Sequence, residues 1–172
     1  MLSRLRNEKG FGLLELLMAM TMLNIGILAL VAAFNSGAVA LQRASRVSTA
    51  ATLADAQMEL YRALTYTTIG LSSTSVNATD SLYRSDSVLG GSISNDLTAA
   101  SCTGSPLPNQ CVASRNATGP DQRTYRVDSY VTATTPTNGR AMKLVTIVVR
   151  AGTSPYRTYA REQSTFDLST GS

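Results

Sequence analysis

Gly10-Phe-Gly-Leu-Leu-Glu-Leu-Leu17 sets one carboxylate inside an apolar run, five residues after a glycine that closes a short basic leader. From Phe11 to Phe34 there are 24 residues, and Glu15 is the only charged one. A helix of roughly 20 apolar residues crosses the hydrocarbon core of a bilayer, so this stretch is long enough to span it. Within such a span a carboxylate costs on the order of 2.5–3.5 kcal/mol on insertion scales, and it marks a partner. Two readings follow for Glu15. Either it meets an amine on a neighbouring helix, or it snorkels to the headgroups or caps the first turn of its own chain.

Arg4, Arg6 and Lys9 stand against Glu8 alone in Met1 to Lys9. The positive-inside rule therefore places this end in the cytoplasm and the bulk of the chain outside, as a single-pass protein. A secretory signal would be cut after its apolar region, and Ala32, Ala33, Ser36 and Gly37 supply a passable site. Such a region is roughly 7–15 residues, however, and this run exceeds that without a break. Cleavage at Gly10 would leave the helix on the protein.

The basic leader, Gly10, Phe11 and Glu15 together resemble the cleavage and methylation segment of type IV pilins and pseudopilins. By that resemblance Gly10 precedes the cut, Phe11 becomes the N-methylated first residue, and Glu15 is the glutamate one helical turn on. Gly12 departs from the threonine common in the family. The likeness covers about the first 65 residues. It implies a structural subunit, not an enzyme, with no cofactor. The implied partners are prepilin peptidase/methyltransferase, other pilin subunits, an inner-membrane assembly platform, and membrane lipid before assembly. The implied locations are the inner membrane first, then an extracellular pilus or a periplasmic pseudopilus. The physical logic is self-standing. Cutting after Gly10 frees a cationic amine at a helix N-terminus, and the Glu15 of a neighbour neutralises it at a single axial offset, so that two charges costly alone become tolerable together.

Asn24 and Gly26 interrupt the apolar helix in mid-span. Glycine costs roughly 1 kcal/mol relative to alanine inside a helix, and asparagine is also a poor former. This zone reads either as a point of helix flexibility or as a place where another helix packs closely. Segment 35–64 continues as an amphipathic helix, with Leu41, Val47, Ala51, Ala54, Met58, Tyr61 and Leu64 mostly three or four apart. The expected organisation is a leader at 1–10, a membrane or filament-core helix at 11–34, this amphipathic half at 35–64, a variable Ser/Thr-rich region at 65–122 and a sheet at 123–172. The 11–64 helix would measure roughly 80 Å at about 1.5 Å per residue.

Regular structure is hard to read in 65–122, where Leu82-Tyr83 and Val88-Leu89 are the only hints of a strand. A connection this long is functional, disordered or hides short elements. Cys102 and Cys111 are the only cysteines, with Pro106 and Pro108 between them. An exported domain favours a disulfide. Zinc is the weaker reading, because two thiols without a histidine anywhere leave the ion short of ligands. Asp80, Asp86, Asn95 and Asp96 offer oxygens for calcium but lack a recognisable ligand spacing.

Alternation of Tyr125, Val127 and Val131 with Arg126, Asp128 and Thr132, the Asn138-Gly139 hairpin signal, the run L-V-T-I-V-V within Ala141 to Arg150, and Tyr156 to Phe166 predict three antiparallel strands. Packed on the amphipathic half of the helix, they give an α+β, pilin-like fold. Seven arginines and Lys143 lie between Arg115 and Glu162 with tyrosines interleaved. They read either as charged outer strand positions or as a DNA-binding face, whose contacts would be Arg126, Arg140, Lys143 and Arg157. The absence of histidine excludes Ser-His-Asp and Cys-His catalysis. The N-I-G-I-L-A-L segment and the basic C-terminus resemble minor pilins of the type IV pilus modification type, with a type II secretion pseudopilin as the first alternative and a membrane-anchored binding or DNA-uptake pilin with a basic C-terminal face as the second.

Overall fold

A computed structural model describes residues 12–136 and 139–168. The chain divides into two compact units, one ending at Ala44 and one beginning at Ser45. Gly10, Phe11 and Asn138 lie outside the described residues.

Within the first unit the chain is helical from Leu13, part of the continuous helix α1, Leu13–Arg62. Leucine, methionine and alanine dominate here and are strong helix formers, and the first proline is Pro106. The helix runs unbroken through Asn24 and Gly26. The Asn24 side-chain amide donates to the Met20 carbonyl at 3.0 Å, and the Thr21 hydroxyl donates to that of Met18 at 2.8 Å. Both polar groups are thus satisfied on their own helix, which is how an apolar segment carries them.

The second unit is an α+β body whose sheet has four strands where three are expected. They are β1 (Ser114–Thr118), β2 (Thr124–Thr134), β3 (Met142–Ala151) and β4 (Thr158–Phe166), in the order β1-β2-β3-β4 and antiparallel throughout. Val127 pairs with Val149 and Val131 with Val145, so the odd-numbered positions of β2 and β3 form one apolar face. The α1 residues of this unit cover that face with Ala50, Ala54, Gln57, Met58 and Tyr61, all buried. The expected stripe is shifted at its start. Val47 and Ala51 are exposed, and burial begins at Thr49 and Ala50. Gln57 fixes the helix: its amide donates to the Asn109 carbonyl and the Ser129 hydroxyl, while its oxygen accepts from Arg115 at 2.9 Å.

The even-numbered face of β2 is also buried, from Arg126 to Tyr130. It is covered by residues 80–96, for the Tyr83 ring stacks on Tyr130 at 4.3 Å between centroids. Leu82-Tyr83 is no strand. It belongs to the short helix α3 (Ser81–Arg84), which follows α2 (Ser73–Asn77), and Val88-Leu89 lies in a 3-10 turn. Asp80 and Asp86 begin these two turns by accepting from the Tyr83 and Val88 amides, as helix-capping carboxylates do. Cys102 and Cys111 form a disulfide with Cα atoms 5.4 Å apart. A loop of this length contributes roughly 2–3 kcal/mol by restricting the unfolded chain. The cysteines are buried, while residues 103–106 between them are exposed.

Candidate functional site

Glu15 sits in the first turn of α1, exposed, with its backbone amide bonded to the Gly12 carbonyl at 2.9 Å. Beyond it no charged residue occurs until Arg43. The large apolar side chains between Leu13 and Leu41 are all exposed, Leu13 at 80% and Phe34 at 78% among them. An exposed apolar surface of this extent needs a lipid or protein cover. By length and composition α1 is long and apolar enough to cross a membrane.

Residues 5–31 match the family model for the prokaryotic N-terminal methylation motif. This is a type IV pilin-like prepilin segment. It spans Arg6 and Lys9 of the leader, Gly10, Phe11, Glu15 and most of the uncharged helix. Proteins with this motif are structural, and the motif together with the apolar helix agrees with anchoring in the inner membrane, processing by a prepilin peptidase and assembly with other pilins. No curated protein and no solved structure gives a significant match to the chain.

The chain beyond the prepilin segment holds a buried ionic network. Arg126 and Arg150 are direct cross-strand neighbours, an arrangement that repels unless a carboxylate intervenes. Asp128, fully buried, supplies it: one oxygen accepts from Arg126 Nε at 2.8 Å and the other from Arg150 Nη1. Residues far off in sequence complete the network. Asp80 accepts from Arg126 Nη2 at 2.7 Å, and Asp86 accepts from Arg150 and, at 3.0 Å, from Arg161. The Arg126 guanidinium holds the Asp80 carboxyl down at about 2. Burial pushes Asp86 up, but the Val88 amide and the Arg161 and Arg150 charges outweigh it and keep that carboxyl below its ordinary value.

This network corrects the basic-face reading. Arg126 is buried and committed to two carboxylates, so it has no free guanidinium edge for a phosphodiester. Lys143 donates to the Tyr66 and Ile69 carbonyls at 2.7 and 2.6 Å, and burial lowers its pKa. Arg140 and Arg157 are exposed but flank opposite ends of β3, about 30 Å apart at ~3.3 Å per residue. The four do not make one patch. The supposed calcium oxygens are likewise dispersed, Asp80 and Asp86 to arginines and Asp96 to Tyr83. Among the described residues no group of three or more His, Cys, Asp or Glu side chains is placed to hold a metal.

Asp96 is the one buried carboxyl without a cation among the described residues. The Tyr83 hydroxyl oxygen lies 2.7 Å from both Asp96 Oδ2 and the Ser129 carbonyl oxygen, yet a phenol has a single proton to donate. Both bonds form when Asp96 is protonated and donates to Tyr83, which then donates to Ser129. Burial pushes Asp96 up to about 6, against the Tyr83 and Val131 donors. A carboxyl raised above its unfolded value of about 3.9 stabilises the fold below that pH, and the contribution is lost as pH rises through about 6. Two pKa units correspond to roughly 2–3 kcal/mol. Asp96→Asn should therefore gain in melting temperature relative to the parent between pH 4.5 and 7.5, by about 2–4 °C per kcal/mol. A difference independent of pH would contradict this assignment.

Proposed function

We propose that the chain is a minor type IV pilin, a structural subunit that enters or primes a pilus filament after its leader is cut at Gly10 and Phe11 is methylated. The observation that carries this reading is the prepilin segment running without interruption into a helix whose apolar side chains are uncovered. Before assembly lipid covers that surface, and afterwards the helices of other subunits do. Glu15 sets their register by pairing with the amine of a neighbouring Phe11, at an offset where two otherwise costly charges neutralise each other. Asn24 and Gly26, helical in the single chain, are the positions at which the helix would yield on packing into a fibre. The exposed residues between the two cysteines form a pinned surface loop suited to display. A type II secretion pseudopilin shares the same segment and is the alternative. Genes for a retraction motor beside this one would favour the pilus, whereas secretin and exoprotein genes would favour secretion.

Glu15→Val tests the register. Removing a carboxylate from the lipid should leave insertion unchanged or improved, by up to about 2.5–3.5 kcal/mol on insertion scales. Recovery in sheared filaments, measured against the major subunit, should fall. A processed, stable variant recovered at the parental ratio would show that the carboxylate is merely tolerated.

A further inference from the structure

Where α1 passes the β1–β2 and β3–β4 turns, two adjoining cavities of about 270 and 250 Å³ share Arg46, Ala151, Thr153 and Tyr159 in their walls. Arg123 lines the first and Arg157 the second. The walls are tied by backbone bonds: the Gly152 amide donates to the Thr124 carbonyl at 3.1 Å, and the Ala151 amide to the Arg157 carbonyl at 2.8 Å. No Cβ fits at Gly152, where it would stand 2.6 Å from the Thr124 oxygen. The cleft is therefore built into the sheet end rather than left by a loose loop.

Its charge is only partly compensated. Asp121 is the only carboxylate paired to any of the three arginines among the described residues, and it lies 3.9 Å from Arg123. The Arg46 guanidinium has one long bond, from Nη1 to the Tyr159 hydroxyl at 3.4 Å, and its Nε is covered from solvent with no acceptor. An unpaired buried donor is destabilising, the more so when charged. The planar guanidinium fork matches the oxygens of a phosphate or carboxylate in side-on pairing. Three arginines against one aspartate leave an excess of +3 − 1 = +2, which suits an anionic phosphate group, monoester or diester. We propose that this cleft binds a phosphate group, with Arg46 and Arg157 as its principal donors and Arg123 as an auxiliary one. The Arg46 side chain turns toward the cleft to present its Nε edge. Arg46 follows the uncharged stretch ending at Gln42 by four positions in the same helix, so a lipid headgroup and a free phosphate are both sources of the group.

The test uses the full chain with ¹⁵N-labelled arginine, following the side-chain Nε–H resonances. In one arm inorganic phosphate is titrated into protein held in neutral detergent. In the other, the protein sits in phosphatidylglycerol nanodiscs without free phosphate and is compared with neutral detergent. A saturable shift of the Arg46 signal in the first arm alone identifies free phosphate as the ligand. A shift in the lipid arm identifies the headgroup. Arg157→Gln, on an exposed turn, should weaken the response about tenfold, and Arg46→Gln should abolish it at the remaining arginines. No shift of Arg46 in either arm, or an undiminished response in Arg157→Gln, would overturn the proposal.

Discussion

Asp128→Ala is expected to cost about 3–5 kcal/mol of unfolding free energy, the penalty for removing one member of a buried ion pair. Asp128 lies between two arginines that are themselves buried and face each other across β2 and β3. Its removal leaves Arg126 with Asp80 and Arg150 with Asp86, but restores the repulsion between the two guanidinium groups. Domains of this kind are stable by only about 5–15 kcal/mol, so the variant should melt far below the parent or fail to accumulate. The exposed pair of Arg62 and Glu59 provides the contrast, since Glu59→Ala should leave stability nearly unchanged. Denaturant titration of the full chain in detergent measures both. Equal losses would mean that burial does not govern the strength of these pairs.

Gly10→Val is expected to leave the ten-residue leader in place, an all-or-none effect on processing. The proposed cut follows Gly10, and a branched side chain there would obstruct a site that takes a small residue. A retained leader keeps Arg4, Arg6 and Lys9 on the chain in place of the free Phe11 amine, so the proposed partner of Glu15 is never created. The variant should remain in the inner membrane and be missing from sheared filaments. Intact mass reads the outcome, and a shortened chain from Gly10→Val cells would refute the role of Gly10.

The long helix and three of the four strands are legible because each depends on a local pattern. An uncharged run requires no partner to be recognised, and the alternation along Tyr125 to Val131 reports a strand by itself. β1 is not legible: Ser-Arg-Asn-Ala-Thr is polar, short and at the sheet edge, and it becomes a strand only through pairing with β2. Residues 80–96 are hidden for a similar reason. Their turns are held by Asp80 and Asp86, and their place over the sheet is fixed by the Tyr83–Tyr130 stack and by arginines 46 and 64 residues away. Alternation implies that the charged side of β2 faces water, but a second layer covers it. The basic-face reading fails at that step. At the prepilin segment the relation is reversed, because the motif is written in residue types around Gly10, Phe11 and Glu15, while the structure describes the chain only from Gly12 onward. The cleft at Arg46 has no sequence signal, since it assembles from a helix and two turns that follow Arg46 by more than 70 residues.

The central claim is that a peptidase converts this chain into a subunit whose first residue is Phe11. Mass spectrometry of the N-terminal peptide, taken from membranes and from sheared filaments of unmodified cells, tests it most directly. The account predicts a chain beginning at Phe11 with a methylated amine in both fractions. A chain retaining Met1 to Gly10, or one cut beyond the apolar run near Ala33 or Gly37, would contradict it.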